Sequence, residues 1–343
     1  MLISLRTTFT WLLVSLWCGS AYAFVGMSEL PANVISGPVT VFYPTSASSK
    51  VVQRGDFQLD VALDADPLPG NRRLIVISHG SSASPWVYLD LVRVLVDAGF
   101  SVALPEHFAD NYKDDSEPGP PSWRRRPFEV SKAIDRLQQS SRFGSTLDFS
   151  RVGMFGMSAG GHTALTLAGG RWSPSRLRDH CQRNLENDFY ACAGLTTELT
   201  GGVLDGIKKF IVRTVDNRKF NDTAWYEHTD SRIVAIVAGV PFAADFDPES
   251  LRAPKVALAI VSARGDQWLK PQFHSDAVLA VCQPCEHLAD LSTGGHGALL
   301  GPLPPHLPSL VAKLIGDPEA FNRKIEVPKL NKLITDYFLQ KLI

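Results

Sequence analysis

Val152-Gly153-Met154-Phe155-Gly156-Met157-Ser158-Ala159-Gly160-Gly161-His162 runs from an apolar, strand-like segment directly into a helix-like one, with a serine framed by glycines at the junction. Gly-x-Ser-x-Gly alone is a weak pattern. Between a buried strand and a helix it describes a sharp turn that strains the serine backbone and pushes its hydroxyl out at the sheet edge. The following helix start would lie under the reacting carbonyl, where the Ala159 amide can donate to an oxyanion. Ser158 is therefore the candidate nucleophile.

A serine hydroxyl needs a base at neutral pH, and the base needs an orienting carboxylate. On a strand-turn-helix nucleophile both follow later in the chain, acid first and histidine last. Asp266 sits in the turn Ala263-Arg264-Gly265-Asp266-Gln267 after an apolar run, and His296 in the loop Thr293-Gly294-Gly295-His296-Gly297 after the next. Asp245 and Asp247, behind the preceding run, are the rival acids. His287 and His306 are the other late histidines, one beside a strand and one in a Pro-rich approach to a helix. A second oxyanion donor is expected in Ser78-His79-Gly80-Ser81-Ser82, from the Ser81 amide or, failing that, from Ser82. His79 reads as a buried structural histidine, and His162 as packing beneath the serine turn.

Outward from this segment, β-branched runs alternate with helix-period segments, the pattern of a largely parallel sheet with crossover helices. The spacing predicts strands over 39–43, 59–63, 74–78, 101–104, 152–155, 233–238, 256–262 and 287–291. It predicts helices over 85–98, 128–139, 161–168, 273–281 and 307–314. Ser84 is the candidate N-cap of the first helix, ahead of Pro85. Residues 110–127, with Trp123-Arg124-Arg125-Arg126, read as a polar, solvated loop tied down by its tryptophan. Residues 169–231 interrupt the alternation after the serine helix, with a helix expected over 203–212, and read as a cap over the pocket.

Residues 1–23 carry one charge, Arg6, a short apolar run from Thr10 to Cys18, and the small-x-small ending Ala21-Tyr22-Ala23. That is the form of a cleaved export signal, too short to span a membrane comfortably. The remainder, 24–343, is long for one domain but within range of one carrying an insertion. Setting Arg6 aside leaves 33 of the 34 basic residues against 35 acidic ones, a balance that by itself points to neither nucleic acid nor an anionic membrane as partner. Four of the five cysteines remain: Cys181, Cys192, Cys282 and Cys285. An even number in an exported chain favours disulfides, and sequence-local pairing is the simplest of three connectivities. Zinc at Cys282-Gln283-Pro284-Cys285 with His287 is the rival reading, without a second ligand pair at suitable spacing.

With Ser-His-Gly after one strand, Gly-Met-Ser-Ala-Gly-Gly after another, and Gly-Asp and Gly-Gly-His-Gly downstream, the chain resembles the α/β-hydrolase superfamily over roughly residues 36–315. Within it the nearest likeness is to exported bacterial proteins labelled dienelactone-hydrolase-like, related to platelet-activating-factor acetylhydrolases. The string Trp123 to Pro127 and the cysteine-bearing insertion share in that likeness. Dienelactone hydrolases proper use a cysteine where this chain has Ser158. The acetylhydrolases take their acid after the sixth strand, where Ala238-Gly239-Val240-Pro241-Phe242 offers no carboxylate. The resemblance implies an α/β-hydrolase fold and carboxylic-ester hydrolysis on a small-molecule substrate; the chemistry calls for no cofactor and no metal. An amidase or peptidase with the same residues, or a non-catalytic binding protein on this scaffold, remain the alternatives. Oligomeric state and acyl preference are not legible.

Overall fold

The structure is a computed structural model that describes residues 24–34 and 36–343. The export signal expected over residues 1–23 lies outside the described residues. The strands are β1 (Phe24–Leu30), β2 (Val39–Thr45), β3 (Lys50–Arg54), β4 (Phe57–Leu63), β5 (Leu74–Ser78), β6 (Ser101–Pro105), β7 (Val152–Met157), β8 (Ile233–Gly239), β9 (Ala257–Ala263) and β10 (Glu286–Leu291). The helices are α1 (Leu89–Asp97), α2 (Pro120–Gln139), α3 (Ala159–Leu167), α4 (Pro174–Asn184), α5 (Phe189–Ala193), α6 (Asp205–Lys219), α7 (Ser275–Val281), α8 (Ser309–Ile315) and α9 (Arg323–Leu342).

One ten-stranded sheet runs in the order β10-β9-β8-β7-β5-β6-β2-β1-β4-β3. From β10 to β6 all pairs are parallel, and β2 joins β6 antiparallel. The inner parallel strands β5 to β9 are apolar along most of their length because helices cover both faces, while the edge strand β10 carries Glu286, His287 and Asp290. Alternate residues of β5 feed the two layers: Val76 packs toward α2 and α3, Ile75 and Ile77 toward α1 and α9. Each fully buried Val or Ile here contributes about 1.5–3 kcal/mol of transfer free energy.

All eight expected strands are present, most of them one or two residues longer. β1 and β3 were not anticipated. β3 is a charged edge strand with little apolar signal, while β1 pairs with β2 along its whole length. Residues 110–127 differ from expectation. Pro120 and Pro121 sit in the first helical turn, where a missing N–H costs nothing, so α2 begins at Pro120 and runs on through Pro127. Helix α9 was also unforeseen, although Val327, Leu330, Ile334, Phe338 and Leu342 recur at helical spacing and are all buried. Ser84 does precede a helical turn, a 3-10 segment over Pro85–Tyr88 leading into α1, but its side chain makes no capping bond.

The insertion leaves the body at Trp172 and returns at Tyr226, where the two backbones exchange hydrogen bonds of 3.0 and 2.8 Å. Between them lie α4, α5 and α6. The helix expected over 203–212 is α6, which starts at Asp205 and runs to Lys219. Disulfides join Cys181 to Cys192, between α4 and α5, and Cys282 to Cys285 after α7. These pairings exclude zinc at Cys282 and Cys285, whose sulfurs are bonded to each other.

Candidate active site

Ser158 occupies the turn between β7 and α3 with φ +57° and ψ −117°, a left-handed conformation costly for a non-glycine residue. The turn closes because two neighbours lack side chains. A Cβ on Gly156 would stand 2.0 Å from the Gly160 carbonyl oxygen, and one on Gly160 only 1.9 Å from that of Ser78. α3 begins at Ala159, so its first amides have no intrahelical acceptor and are oriented as a group.

His296 lies in the loop after β10 with Nε2 3.0 Å from the Ser158 hydroxyl, and its Nδ1 is 2.7 Å from Asp266 Oδ2. Asp266 is buried, and its other oxygen accepts the backbone N–H groups of Trp268 and Leu269 at 2.8 and 2.9 Å. A carboxylate held by two amides cannot swing away from the imidazole. Its partner nitrogen is thus fixed as Nδ1–H, which leaves Nε2 free to accept the serine proton. Asp245 and Asp247 lie elsewhere. Asp245 faces His162 Nε2 at 3.1 Å beneath α3, and Asp247 caps a short helical turn and pairs with Arg171 at 2.5 Å. His287 bonds to Ser262. His162 stacks on Trp123, as expected of a residue under the serine turn.

The loop after β5 is held by a buried polar network that the sequence did not announce. Arg126, expected in a solvated loop, is fully buried on α2 and pairs with the equally buried Asp110 at 2.8 Å. Its guanidinium also donates to the backbone carbonyls of His79 and Gly80. The second oxygen of Asp110 accepts the Ser81 hydroxyl at 2.6 Å and the Ser82 N–H at 3.0 Å. The Ser82 amide is therefore engaged, whereas among the described residues the Ser81 amide makes no hydrogen bond. Burial pushes the Asp110 carboxyl up, but the Arg126 charge and the hydrogen bonds from Ser81, Ser122 and Ser82 outweigh it and hold it at about 2.

Deeper in the same network His107 donates from Nδ1 to Glu129 at 2.5 Å and accepts from Ser78 at Nε2, 2.8 Å away. Its backbone N–H reaches His79 Nε2, while His79 Nδ1 bonds the Gly80 carbonyl at 2.7 Å. Burial, and the Arg126 charge, hold both imidazoles well below their ordinary range, so they are neutral. His79 is thus a structural residue of this loop, as the sequence led us to expect.

These residues open on a cavity of about 400 Å³. Ser81, Ser158 and His296 line its floor; Phe242, Leu269 and Ile315 line the body side; Tyr190 to Thr196 and Lys219 to Phe220, from the insertion, line the other. Tyr190 of α5 packs against Trp268 with ring centroids 4.2 Å apart and planes tilted by 33°, so the insertion rests on the turn that carries Asp266.

A solved structure, that of a ferulic acid esterase from Streptomyces cinnamoneus, matches 93% of this chain and 90% of its own, with a TM-score of 0.59 and 16% sequence identity. The chain has the α/β-hydrolase fold. No family model and no curated protein sequence matches it. In the α/β-hydrolase fold the chain order serine, acid, histidine brings together residues far apart in sequence, and Ser158, Asp266 and His296 follow β7, β9 and β10 in that order. What sequence reasoning missed, Asp110, Arg126 and the two amides holding Asp266, has no local motif. Each is defined by a partner more than ten residues away or by the shape of a turn.

Proposed function

We propose that the protein is a serine hydrolase of carboxylic esters. The observation that carries this reading is the continuous line from Asp266 through His296 to Ser158 at 2.7 and 3.0 Å, ending on a strained serine at the floor of an apolar cavity. His296 Nε2 takes the Ser158 proton as the hydroxyl attacks the ester carbonyl. Asp266 stabilises the imidazolium. The Ala159 and Ser81 amides bind the tetrahedral oxyanion, and removing such a donor typically costs about 100-fold in kcat or more. His296 returns its proton to the leaving alcohol. Water, deprotonated by His296, then releases the acid from Ser158. No cofactor takes part in these steps.

The cavity walls are mostly apolar, with Tyr190, Phe242 and Trp268 among them, which suits an ester with an apolar or aromatic acyl group. The structural neighbour is a ferulic acid esterase, and an aromatic acyl group of that kind is one substrate we would assay. Two disulfides accord with an exported protein, as does the signal-like start of the sequence, and no helix among the described residues is long and apolar enough to cross a membrane. The finer likeness to dienelactone-hydrolase-like proteins and platelet-activating-factor acetylhydrolases rests on sequence motifs. The deciding experiment is turnover of a p-nitrophenyl ester series by wild type and Ser158→Ala, with fluorophosphonate labelling of both. Wild type should turn over and label, and the variant should do neither. Full labelling of Ser158→Ala would remove the nucleophile from this reading.

A further inference from the structure

Helix α6 of the insertion is built inside out. The residues it buries are Val212 and Asp216, while Val203 and Leu204 just before it and Ile207, Phe210, Ile211 and Val215 along it are exposed, Phe210 to 70%. These six fall on one side at helical spacing and form a continuous apolar stripe. Other large apolar side chains are exposed elsewhere, but a contiguous patch of this kind marks a surface that meets something.

The flanking charges say what. Lys208 and Lys219 border the stripe on one side, Lys209 and Arg213 on the other, and Arg218 lies at its C-terminal end. Of the two acidic residues of the helix, Asp216 is buried, and Asp205 accepts the backbone amides of Thr200 and Gly201 and pairs with Lys208 at 3.3 Å; Lys209 pairs with Glu186 at 2.8 Å, which leaves Arg213, Arg218 and Lys219 with no ion pair among the described residues. An apolar strip with basic borders complements an anionic lipid surface, where apolar side chains enter the acyl boundary and lysines and arginines meet phosphates. Pairing with a second copy through the same strip would set one basic border against another. The strip also leads inward, since Lys219 and Phe220 at its end line the apolar cavity over Ser158.

We propose that α6 docks the protein on anionic lipid surfaces, with the mouth of the cavity toward the membrane. Binding is read without turnover, so this proposal stands or falls apart from the ester-hydrolase reading. The test is cosedimentation of the full chain with phosphatidylcholine vesicles with and without phosphatidylglycerol. Three proteins are compared: wild type, Ile207→Asp with Phe210→Asp, and Arg213→Glu with Arg218→Glu. Circular dichroism checks that each is folded. Wild type should bind the anionic vesicles and be released by salt, and both double variants should lose about tenfold or more in partitioning. None of these four residues lines the cavity, so turnover of a soluble ester should be unchanged. Absence of wild-type binding would overturn the proposal. So would equal binding by all three proteins, which would show that α6 is not the contact. A wild-type dimer that the aspartate variant converts to monomer would assign the stripe to a contact between copies instead.

Discussion

Arg126 and Asp110 form an ion pair at 2.8 Å with both side chains fully buried, and the far oxygen of Asp110 holds the Ser81 hydroxyl and the Ser82 amide. One carboxylate thereby sets the shape of the loop expected to donate to the oxyanion. Asp110→Asn keeps the volume but removes the charge and one acceptor. It should lower kcat about tenfold with KM little changed, because the lost order matters most where negative charge develops. Arg126→Met leaves Asp110 buried without its charge partner and should cost about 3–5 kcal/mol in urea unfolding. A variant as active and stable as wild type would show that the loop holds its shape without the pair.

Acid stability should report the same carboxylate. Its folded value of about 2 lies below the ordinary 3.8, so its stabilisation is complete above the unfolded value and is lost as the pH falls through the folded one. The contribution is about 2 kcal/mol. The stability gap between wild type and Asp110→Asn should therefore narrow between roughly pH 4 and pH 2. Unfolding midpoints at a series of pH values check this; a gap constant down to the lowest pH would mean the carboxylate is not depressed.

Asp216 behaves in the opposite sense. Burial raises its carboxyl to about 7, the Lys219 charge opposing only in part, and Oδ2 has no partner among the described residues. The unfolded chain gives up this proton near 3.8 and the folded chain only near 7, so stability is lost as the pH rises between them. Asp216→Asn should raise the Tm at pH 8, by the equivalent of about 2 kcal/mol, and change it little near pH 4. Equal Tm values at pH 8 would contradict the raised value.

The acid assignment separates three carboxylates. Asp266→Asn should lose most of the turnover, on the order of 10⁴ in kcat for a triad aspartate, by stabilising the wrong imidazole tautomer. Asp247→Asn should leave turnover near wild type, since Asp247 caps a turn and pairs with Arg171. Asp245→Asn should act on stability through its bond to His162. Steady-state kinetics on a soluble ester would settle it, and a greater loss in Asp245→Asn with the fold intact would move the acid.

The Cys181–Cys192 disulfide ties α4 to α5, whose residues wall the cavity. Replacing both cysteines by serine should cost about 2–3 kcal/mol through the freed short loop. KM should rise more than kcat falls, because the wall loosens while Ser158, His296 and Asp266 stay on the body of the sheet. A variant with unchanged KM would show that α5 keeps its place by packing alone.

The sequence by itself determined where the strands of the parallel core lie, the strained turn at Ser158, and which acid and histidine could follow it. These depend on local signals: runs of β-branched residues long enough to be buried on both faces, and glycines at 156 and 160 where only a hydrogen fits. The helical spacing of Val327, Leu330, Ile334 and Phe338 also lies in the sequence, although no helix was expected there. Only the tertiary structure shows which carboxylate reaches His296, because both Asp266 and Asp245 follow a strand and it is Asp266 that lies 2.7 Å from Nδ1 while Asp245 faces His162. The tertiary structure likewise turned Arg126 from a solvated charge into the anchor of a loop, since burying a guanidinium depends on a carboxylate sixteen residues away. It left α6 with its apolar side outward, which no periodicity could foretell: a stripe has the same spacing whether a core or a surface lies against it.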